Sequence, residues 1–132
     1  MNSEAVFSHI DSQIPVFSGL RVVVENSPDP TPPVPYILLY TIKGQGYRFK
    51  LRGGGGVFPV VANALYIAGE KTGAMAAHRV ADALSAGFSN YKVTLASGDV
   101  ITANSDPVTS RAGYNSDGKF YLPISINFTV YN

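Results

Sequence analysis

The first part of the chain has apolar residues at helical spacing. A helix over residues 3–14 would have one apolar face, formed by Val6, Phe7, Ile10 and Ile14. Ser3 can cap this helix. Glu4 lies in its first turn, where an acidic side chain stabilises the helix by interacting with the positive end of the helix dipole. Because Pro15 lacks the backbone N–H that a helix interior uses, we expect the helix to end or bend there.

A second helical pattern covers residues 72–88 and is rich in alanine, which favours close packing on a sheet. Its predicted apolar face consists of Ala76, Val80, Ala83, Leu84 and Phe88. Thr72 is a candidate cap, and Gly87 with the polar pair Ser89–Asn90 is expected to end the helix.

Short β-branched or alternating runs precede the second helix and predict strands at residues 20–25, 36–43, 46–52 and 57–69. The run at 36–43 is mostly apolar, which indicates a central strand. Pro59 predicts a bend or bulge in the last of these strands, and a buried helix is the alternative for its second half. The proline-rich segment 26–35 predicts an irregular, ordered arm within one domain.

The C-terminal third has the pattern of β-hairpins. Turn residues occur at Ser97–Gly98–Asp99 and at the sequence NSDG, residues 115–118. The last strand alternates, with one apolar face of Phe120, Leu122, Ile124, Ile126, Phe128 and Val130. Its other face carries Tyr121, Ser125, Asn127, Thr129 and Tyr131.

This order of elements predicts an α+β domain spanning residues 1–132. We expect a mostly antiparallel, mixed β-sheet with two α-helices packed on it, one N-terminal and one central, and a hairpin-rich C-terminal third. Length and an apolar content of 45% are sufficient for one domain with its own core.

Composition narrows the classes of function. Charged residues make up 14% of the chain, against about 25% in typical soluble domains. Sparse charge fits a surface covered by neighbouring subunits, and a plain polar surface is the alternative. The chain has no cysteine, which excludes disulfides and thiolate metal sites. The N-terminal residues lack the pattern of a secretory signal, and residues 57–69 are too few to span a bilayer, so no membrane contact is expected.

Four consecutive glycines, Gly53, Gly54, Gly55 and Gly56, raise the question of a phosphate-binding loop. Such a loop requires a Lys and a Ser or Thr after the glycines and then a helix. Here Val57, Phe58 and Pro59 follow, and a strand is predicted. The run therefore predicts a mobile loop between two strands.

Residues for other chemistry are scattered. His9 and His78 have no neighbouring ligands at metal-site spacing, and no pair of carboxylates occurs in an apolar setting. No Gly-x-Ser-x-Gly sequence surrounds a serine. We therefore expect no catalytic residues, no metal and no cofactor, and predict that the protein is not an enzyme.

One predicted strand has a basic face formed by Arg48, Lys50 and Arg52, with Tyr47, Phe49 and Leu51 on its other face. These cations could contact phosphates or acidic groups of a neighbour, and an ordinary solvated face is the alternative. A nucleic-acid site is disfavoured because stacking aromatics and phosphate-binding cations would lie on opposite faces.

Three stretches carry a resemblance to a known family: "VVVENSPDPTPP" followed by "PYILLYTI", the alanine-rich "YIAGEKTGAMAAHRVADALSAGF", and the closing "KFYLPISINFTVYN". In order and pattern they resemble the tail terminators of long-tailed bacteriophages and the related tail-completion proteins. The resemblance implies a structural protein of the virion tail or neck, assembled in the host cytoplasm. It also implies a ring, expected to be a hexamer, that caps the head-proximal end of the tail tube, stops tube polymerisation and provides the head-joining surface.

The implied partners are further copies of the chain, the tail tube protein and the head–tail connector proteins, with passive contact to DNA in the lumen. Candidate interface or lumen residues are Arg48, Lys50, Arg52, Gly53, Gly54, Gly55, Gly56, Pro30, Pro32 and Pro33. A connector or completion protein of the neck, a tube-like protein, a nucleic-acid-binding module and a small hydrolase or carbohydrate-binding module are the alternatives.

Overall fold

A computed structural model describes residues 1–25, 31–44, 46–48, 55–70 and 73–132. Two helices and nine strands follow one another along these residues. In chain order they are α1 (Ser3–Ser18), β1 (Arg21–Val24), β2 (Tyr36–Lys43), β3 (Tyr47–Arg48), β4 (Gly56–Gly69), α2 (Gly73–Phe88), β5 (Lys92–Thr94), β6 (Val100–Thr102), β7 (Val108–Ser110), β8 (Tyr114–Ser116) and β9 (Lys119–Tyr131).

All nine strands form one sheet, with the long strands β4 and β9 at its centre. The main order is β1-β2-β4-β9-β6-β5. β3 continues the β2 side of β4, and β7 and β8 pair with the other edge of β9. β1 is parallel to β2, and the other pairs are antiparallel. The predicted α+β class, with its mostly antiparallel mixed sheet and two helices, is confirmed.

Both helices pack on one face of the sheet and bury its apolar side chains. Phe17 of α1, Phe88 of α2 and Phe128 of β9 make successive edge-to-face contacts with ring centroids 4.7 and 5.2 Å apart. All six residues of the predicted apolar face of β9 are buried, as expected. This cluster joins the two helices to each other and to the sheet.

The first helix is four residues longer than predicted and runs through Pro15 to Ser18. Gly19 adopts the left-handed conformation with φ 71°, and its N–H donates to the Pro15 carbonyl at 2.9 Å. The Ser18 hydroxyl also donates to the Ile14 carbonyl. These contacts satisfy the carbonyls of Ile14 and Pro15, and the helix continues past the proline to Ser18. At the other end, the cap is Asn2 rather than Ser3.

The second helix has the predicted extent, but its buried face is rotated by about one residue. The buried residues are Ala77, Ala81, Leu84 and Phe88. Ala76, Val80 and Ala83 lie beside this stripe and are half-buried. Gly87 lies inside the helix, against the Phe17 ring of α1, and does not end it. Thr72, the predicted cap, lies outside the described residues.

The β4 strand is continuous, so the alternative of a helix in its second half is wrong. Its pairing with β9 runs from Val57–Tyr131 to Gly69–Lys119 without a bulge, and Pro59 keeps its register with Thr129. Of the predicted strand at 46–52, Tyr47 and Arg48 are described, and residues 49–52 lie outside the described residues.

Both predicted C-terminal turns are present. Asp117 and Gly118 have positive φ values of 51° and 73° and form the two-residue turn between β8 and β9. Residues 97–99 connect β5 to β6. Neither helix of the described chain offers an apolar stretch long enough to cross a lipid bilayer.

Candidate assembly surface

The sheet has one face that the helices cover and one that they leave open. Two contacts identify the covered face: the Thr41 hydroxyl donates to Asp11 Oδ1 of α1 at 3.3 Å, and the Phe88 ring contacts Phe128. Alternation then places the neighbouring strand residues on the opposite face. We call this the open face. Its central residues are Leu38, Tyr40 and Ile42 of β2, Val61, Asn63 and Leu65 of β4, and Tyr121, Pro123 and Ser125 of β9.

The open face is aromatic and partly exposed. Tyr40 is 43% exposed and Ile42 is 49% exposed, and both lie in the part of β2 that extends beyond its pairing with β1. Of the seven tyrosines whose side chains the structure describes, five lie on this face by strand register: Tyr36, Tyr40, Tyr114, Tyr121 and Tyr131. Exposed apolar area with clustered tyrosine is typical of a surface that contacts another protein.

The β8–β9 hairpin forms one side of the open face. The rings of Tyr114 and Tyr121 stack with centroids 5.2 Å apart and an angle of 15° between their planes. Gly113 precedes β8, and a Cβ added there would overlap the Phe120 ring. The glycine thus lets the chain approach β9 closely, while Tyr114 remains 49% exposed.

A groove of about 230 Å³ opens on this face, lined by Tyr40, Asn63, Leu65, Arg111, Pro123 and Ser125, among other residues. The Ser125 hydroxyl donates to the Asn63 side-chain oxygen at 3.2 Å, which gives the groove a polar floor. The backbone N–H of Arg111 donates to the Pro123 carbonyl at 3.1 Å and holds the segment that forms the rim of the groove. The volume is below the roughly 300–1,000 Å³ of typical small-molecule sites, so the groove suits a single side chain of a partner.

The charged strand positions of the open face are cationic, whereas the acidic residues Glu25, after β1, and Asp117, in the β8–β9 turn, lie at its borders. The strand residues that register places there include the cations Arg21, Lys92 and Lys119, and Arg111 stands at the groove. Among the described strand positions of this face there is no Asp or Glu. A partner with acidic side chains would therefore complement it.

The predicted basic strand contributes little to this surface within the described residues. Arg48 lies in β3, opposite Gly56 of β4. Lys50, Arg52, Gly53, Gly54 and Pro30 were also predicted as interface residues and lie outside the described residues.

The described glycines of the run are buried rather than presented to a ligand. Gly55 and Gly56 are both buried, and Gly56 is the first residue of β4. A Cβ added at Gly56 would come within 2.7 Å of the Phe58 ring and 3.3 Å of the Asn132 side chain. Its role is therefore close packing at the end of the sheet. In the proline-rich arm, Pro32 is buried and Pro33 is exposed.

Three titratable side chains at or near the core form hydrogen bonds. The His9 ring nitrogen and the Tyr91 hydroxyl are hydrogen-bonded at 2.6 Å, and burial raises the pKa of Tyr91. The buried Asp99 carboxylate accepts from the Asn2 N–H and the Ser97 hydroxyl, which ties the N-terminus to the β5–β6 turn. No group of three or more His, Asp or Glu side chains among the described residues is arranged to hold a metal ion.

The sequence pattern identified the β9 part of the open face and did not identify the parts on β2 and β4. The alternation of β9 identified Tyr121 and Ser125 as facing away from the core. β2 gave no such signal, because its run YILLYTIK is apolar on both sides. Arg111 and Asn63 are far apart in the chain, and the pairing of both β4 and β7 with β9 brings them to one groove.

Comparison with known proteins gives a fold and no function. The sequence matches no family model and no curated protein. Seven chains of known structure match it. One of them, whose name describes no function, has a TM-score of 0.64 and 21% sequence identity over 97% of this chain and 92% of that chain. At this identity the likeness concerns the fold alone.

Proposed function

We propose that this chain is a structural assembly protein of a long-tailed bacteriophage, acting as a tail terminator. In this proposal, copies form a ring, hexameric by resemblance, at the head-proximal end of the tail tube. One side of the ring docks on the tube and ends its growth, and the other side receives the head connector. A connector or completion protein of the neck is the alternative within the same class.

The open face is the observation that carries the proposal. A nine-stranded sheet with both helices on one side leaves tyrosine and aliphatic side chains exposed on its other side. Tyr40 and Ile42 expose apolar area on this face, and burial between subunits would remove this area from water. The low content of charge, 14%, agrees with a chain that is largely surrounded by protein.

The test compares two equally drastic changes on opposite sides of the sheet. Ile42→Glu places a charge on the open face, and Met75→Glu places one on α2, where Met75 is 72% exposed. We expect Ile42→Glu to abolish ring formation, measured by light scattering and negative-stain imaging, and to abolish capping of tubes polymerised from the cognate tube protein. Met75→Glu is the matched control and should assemble normally. A wild-type chain that neither forms rings nor caps tubes would refute the proposal.

A second candidate is binding of single-stranded nucleic acid on the same face. Here, unlike on the predicted basic strand, aromatic and cationic side chains share one side: Tyr114 and Tyr121 lie near Lys119 and Arg111 in sequence and register. Stacking platforms with adjacent cations bind single strands in a salt-dependent manner. Fluorescence anisotropy with a labelled oligothymidine tests this; no binding at low salt, or binding unchanged in Tyr114→Ala, would exclude it.

A further inference from the structure

The side of α1 that faces away from the sheet carries exposed acidic, polar and apolar side chains. Glu4, Ser8, Ser12 and Val16 are exposed at four-residue spacing, opposite the buried side of Val6, Ile10 and Ile14. Val16 is 68% exposed, the second-highest value among the large hydrophobic residues of the described chain that are exposed. We call this side the outer side of α1. It is acidic at its N-terminal end and apolar at its C-terminal end.

The two surfaces are opposite in charge. The outer side of α1 carries one acidic side chain, Glu4, and the first 20 residues contain no Lys or Arg; Asp11 faces β2, where it accepts from Thr41. The open face carries cations at its strand positions and at the groove, with no acidic strand position among the described residues. Complementary charge of this kind fixes the orientation of a contact and disfavours wrong pairings.

The outer side of α1 and the open face also have similar lengths, and each has an apolar end and a charged end. From Glu4 to Val16 the helix rises about 18 Å at 1.5 Å per residue. From β2 across β4 and β9 to β8 the open face measures about 14 Å at about 4.8 Å per strand spacing. The aromatic and aliphatic residues Tyr40 and Ile42 lie at the β2 end, and Arg111 lies between β7 and β8 at the other end, with Lys119 on the adjacent β9. A helix crossing the strands would place Val16 on Tyr40 and Ile42, and Glu4 near Arg111.

We propose that the open face of one copy receives the outer side of α1 from a second copy, with Glu4 directed to Arg111 and Val16 to Tyr40 and Ile42. This inference rests on the proposed function, since it assigns the contact between adjacent subunits of the ring. Because α1 and the open face lie on opposite sides of the sheet, each copy uses both surfaces at once. The contact is therefore head-to-tail, and such contacts generate a ring when their rotation closes.

A contact between two open faces fits the charges less well. It would bring Arg111 and Lys119 of both copies into one interface without acidic partners among the described strand positions. Like charges buried together oppose association. The head-to-tail contact avoids this repulsion.

The experiment is a charge exchange measured by sedimentation velocity on the full chain. Arg111→Glu and Glu4→Arg should each weaken self-association at least tenfold, because each places like charges together. The double variant Arg111→Glu/Glu4→Arg should recover most of the loss. Mixing the two single variants should also recover association, since the mixture contains one unaltered and one exchanged contact. An isologous contact between open faces predicts instead that Glu4→Arg alone has no effect.

Two further variants separate the contact from folding. Ser8→Arg adds bulk and positive charge in the middle of the outer side of α1 and should also weaken association. Asp82→Arg makes a comparable change at an exposed site on α2 and should leave association intact. Far-UV circular dichroism confirms that all variants are folded.

The outcomes distinguish the two proposals. Rings that form and cap tubes but are insensitive to the charge exchange would overturn the α1 contact and leave the terminator function standing. A wild-type chain that remains monomeric up to about 1 mM yet caps tubes would do the same. A chain that neither associates nor caps tubes would overturn both.

Discussion

Asp11 is a carboxyl group half-buried between α1 and β2. Burial raises its pKa above the ordinary value of 3.8, and the hydrogen bond from the Thr41 hydroxyl opposes this rise. The folded chain therefore holds a proton on Asp11 at pH values where the unfolded chain has released it. The resulting cost to stability is present above the folded pKa, and it disappears as the pH falls below the unfolded value.

Asp11→Asn should therefore stabilise the protein at pH 7, because the amide is uncharged and can still accept from Thr41. The free energy of unfolding, measured by urea denaturation at a series of pH values, should exceed that of the wild type at neutral pH. The difference should vanish as the pH falls below 3.8, the ordinary value. Asp82→Asn, at an exposed site on α2, is the matched control. A difference that stays constant down to pH 3 would show that the charge is not its cause.

Gly56 and Phe58 form a contact at the residue scale that can be tested by a double-mutant cycle. Gly56→Ala should cost about 1–3 kcal/mol, since an added Cβ meets the Phe58 ring at 2.7 Å. In a Phe58→Leu background the cost of the alanine should fall. Gly69→Ala, in the same strand, is the control, because an added Cβ there meets nothing within 4 Å. Equal costs in both backgrounds would argue against the contact.

The two helices meet at Gly87, which the sequence indicated as a helix end and which instead lies in the last turn of α2. Helix propensity alone would make Gly87→Ala stabilising by about 1 kcal/mol. An added Cβ, however, would overlap the Phe17 ring of α1, so we expect the variant to be destabilised by about 1–3 kcal/mol in thermal and chemical denaturation. The double variant with Phe17→Leu should recover part of the loss. A gain in stability for Gly87→Ala alone would contradict this packing.

The elements were predictable wherever one local signal dominates. The bounds of β2 and the turn at Asp117–Gly118 follow from a β-rich run and from turn residues. α1 was predicted too short because the left-handed Gly19 caps a helix that continues three residues beyond Pro15, a feature that the apolar pattern does not show. The predicted buried face of α2 differs by about one residue from the observed one. Alanine occupies both the buried stripe and its flanks, so hydrophobicity does not distinguish them. Which side of the sheet remains open depends on where the helices pack, and that is a property of the tertiary structure.

At the scale of the whole molecule, the long β4–β9 ladder is the rigid frame, and the peripheral elements are those that association should change. In β4 and β9 the amides are paired along the ladder and the covered face is buried. Residues 111–118 are all exposed, and alternate amides of β8 point away from its only described partner, β9. For the free chain we therefore expect slow amide hydrogen exchange in β4 and β9 and fast exchange in residues 111–118.

Hydrogen exchange measured by mass spectrometry below and above the association concentration would reveal which surfaces association covers. If the open face receives α1 of a neighbour, protection should rise in residues 111–118 and in α1, because both become shielded from water in the same step. α2 should change little, since its exposed side takes no part in the proposed contact, and it serves as the internal reference. A rise confined to residues 111–118 would favour a contact between two open faces. A rise centred on α2 would place the interface on the opposite side of the sheet and contradict the assignment of the open face.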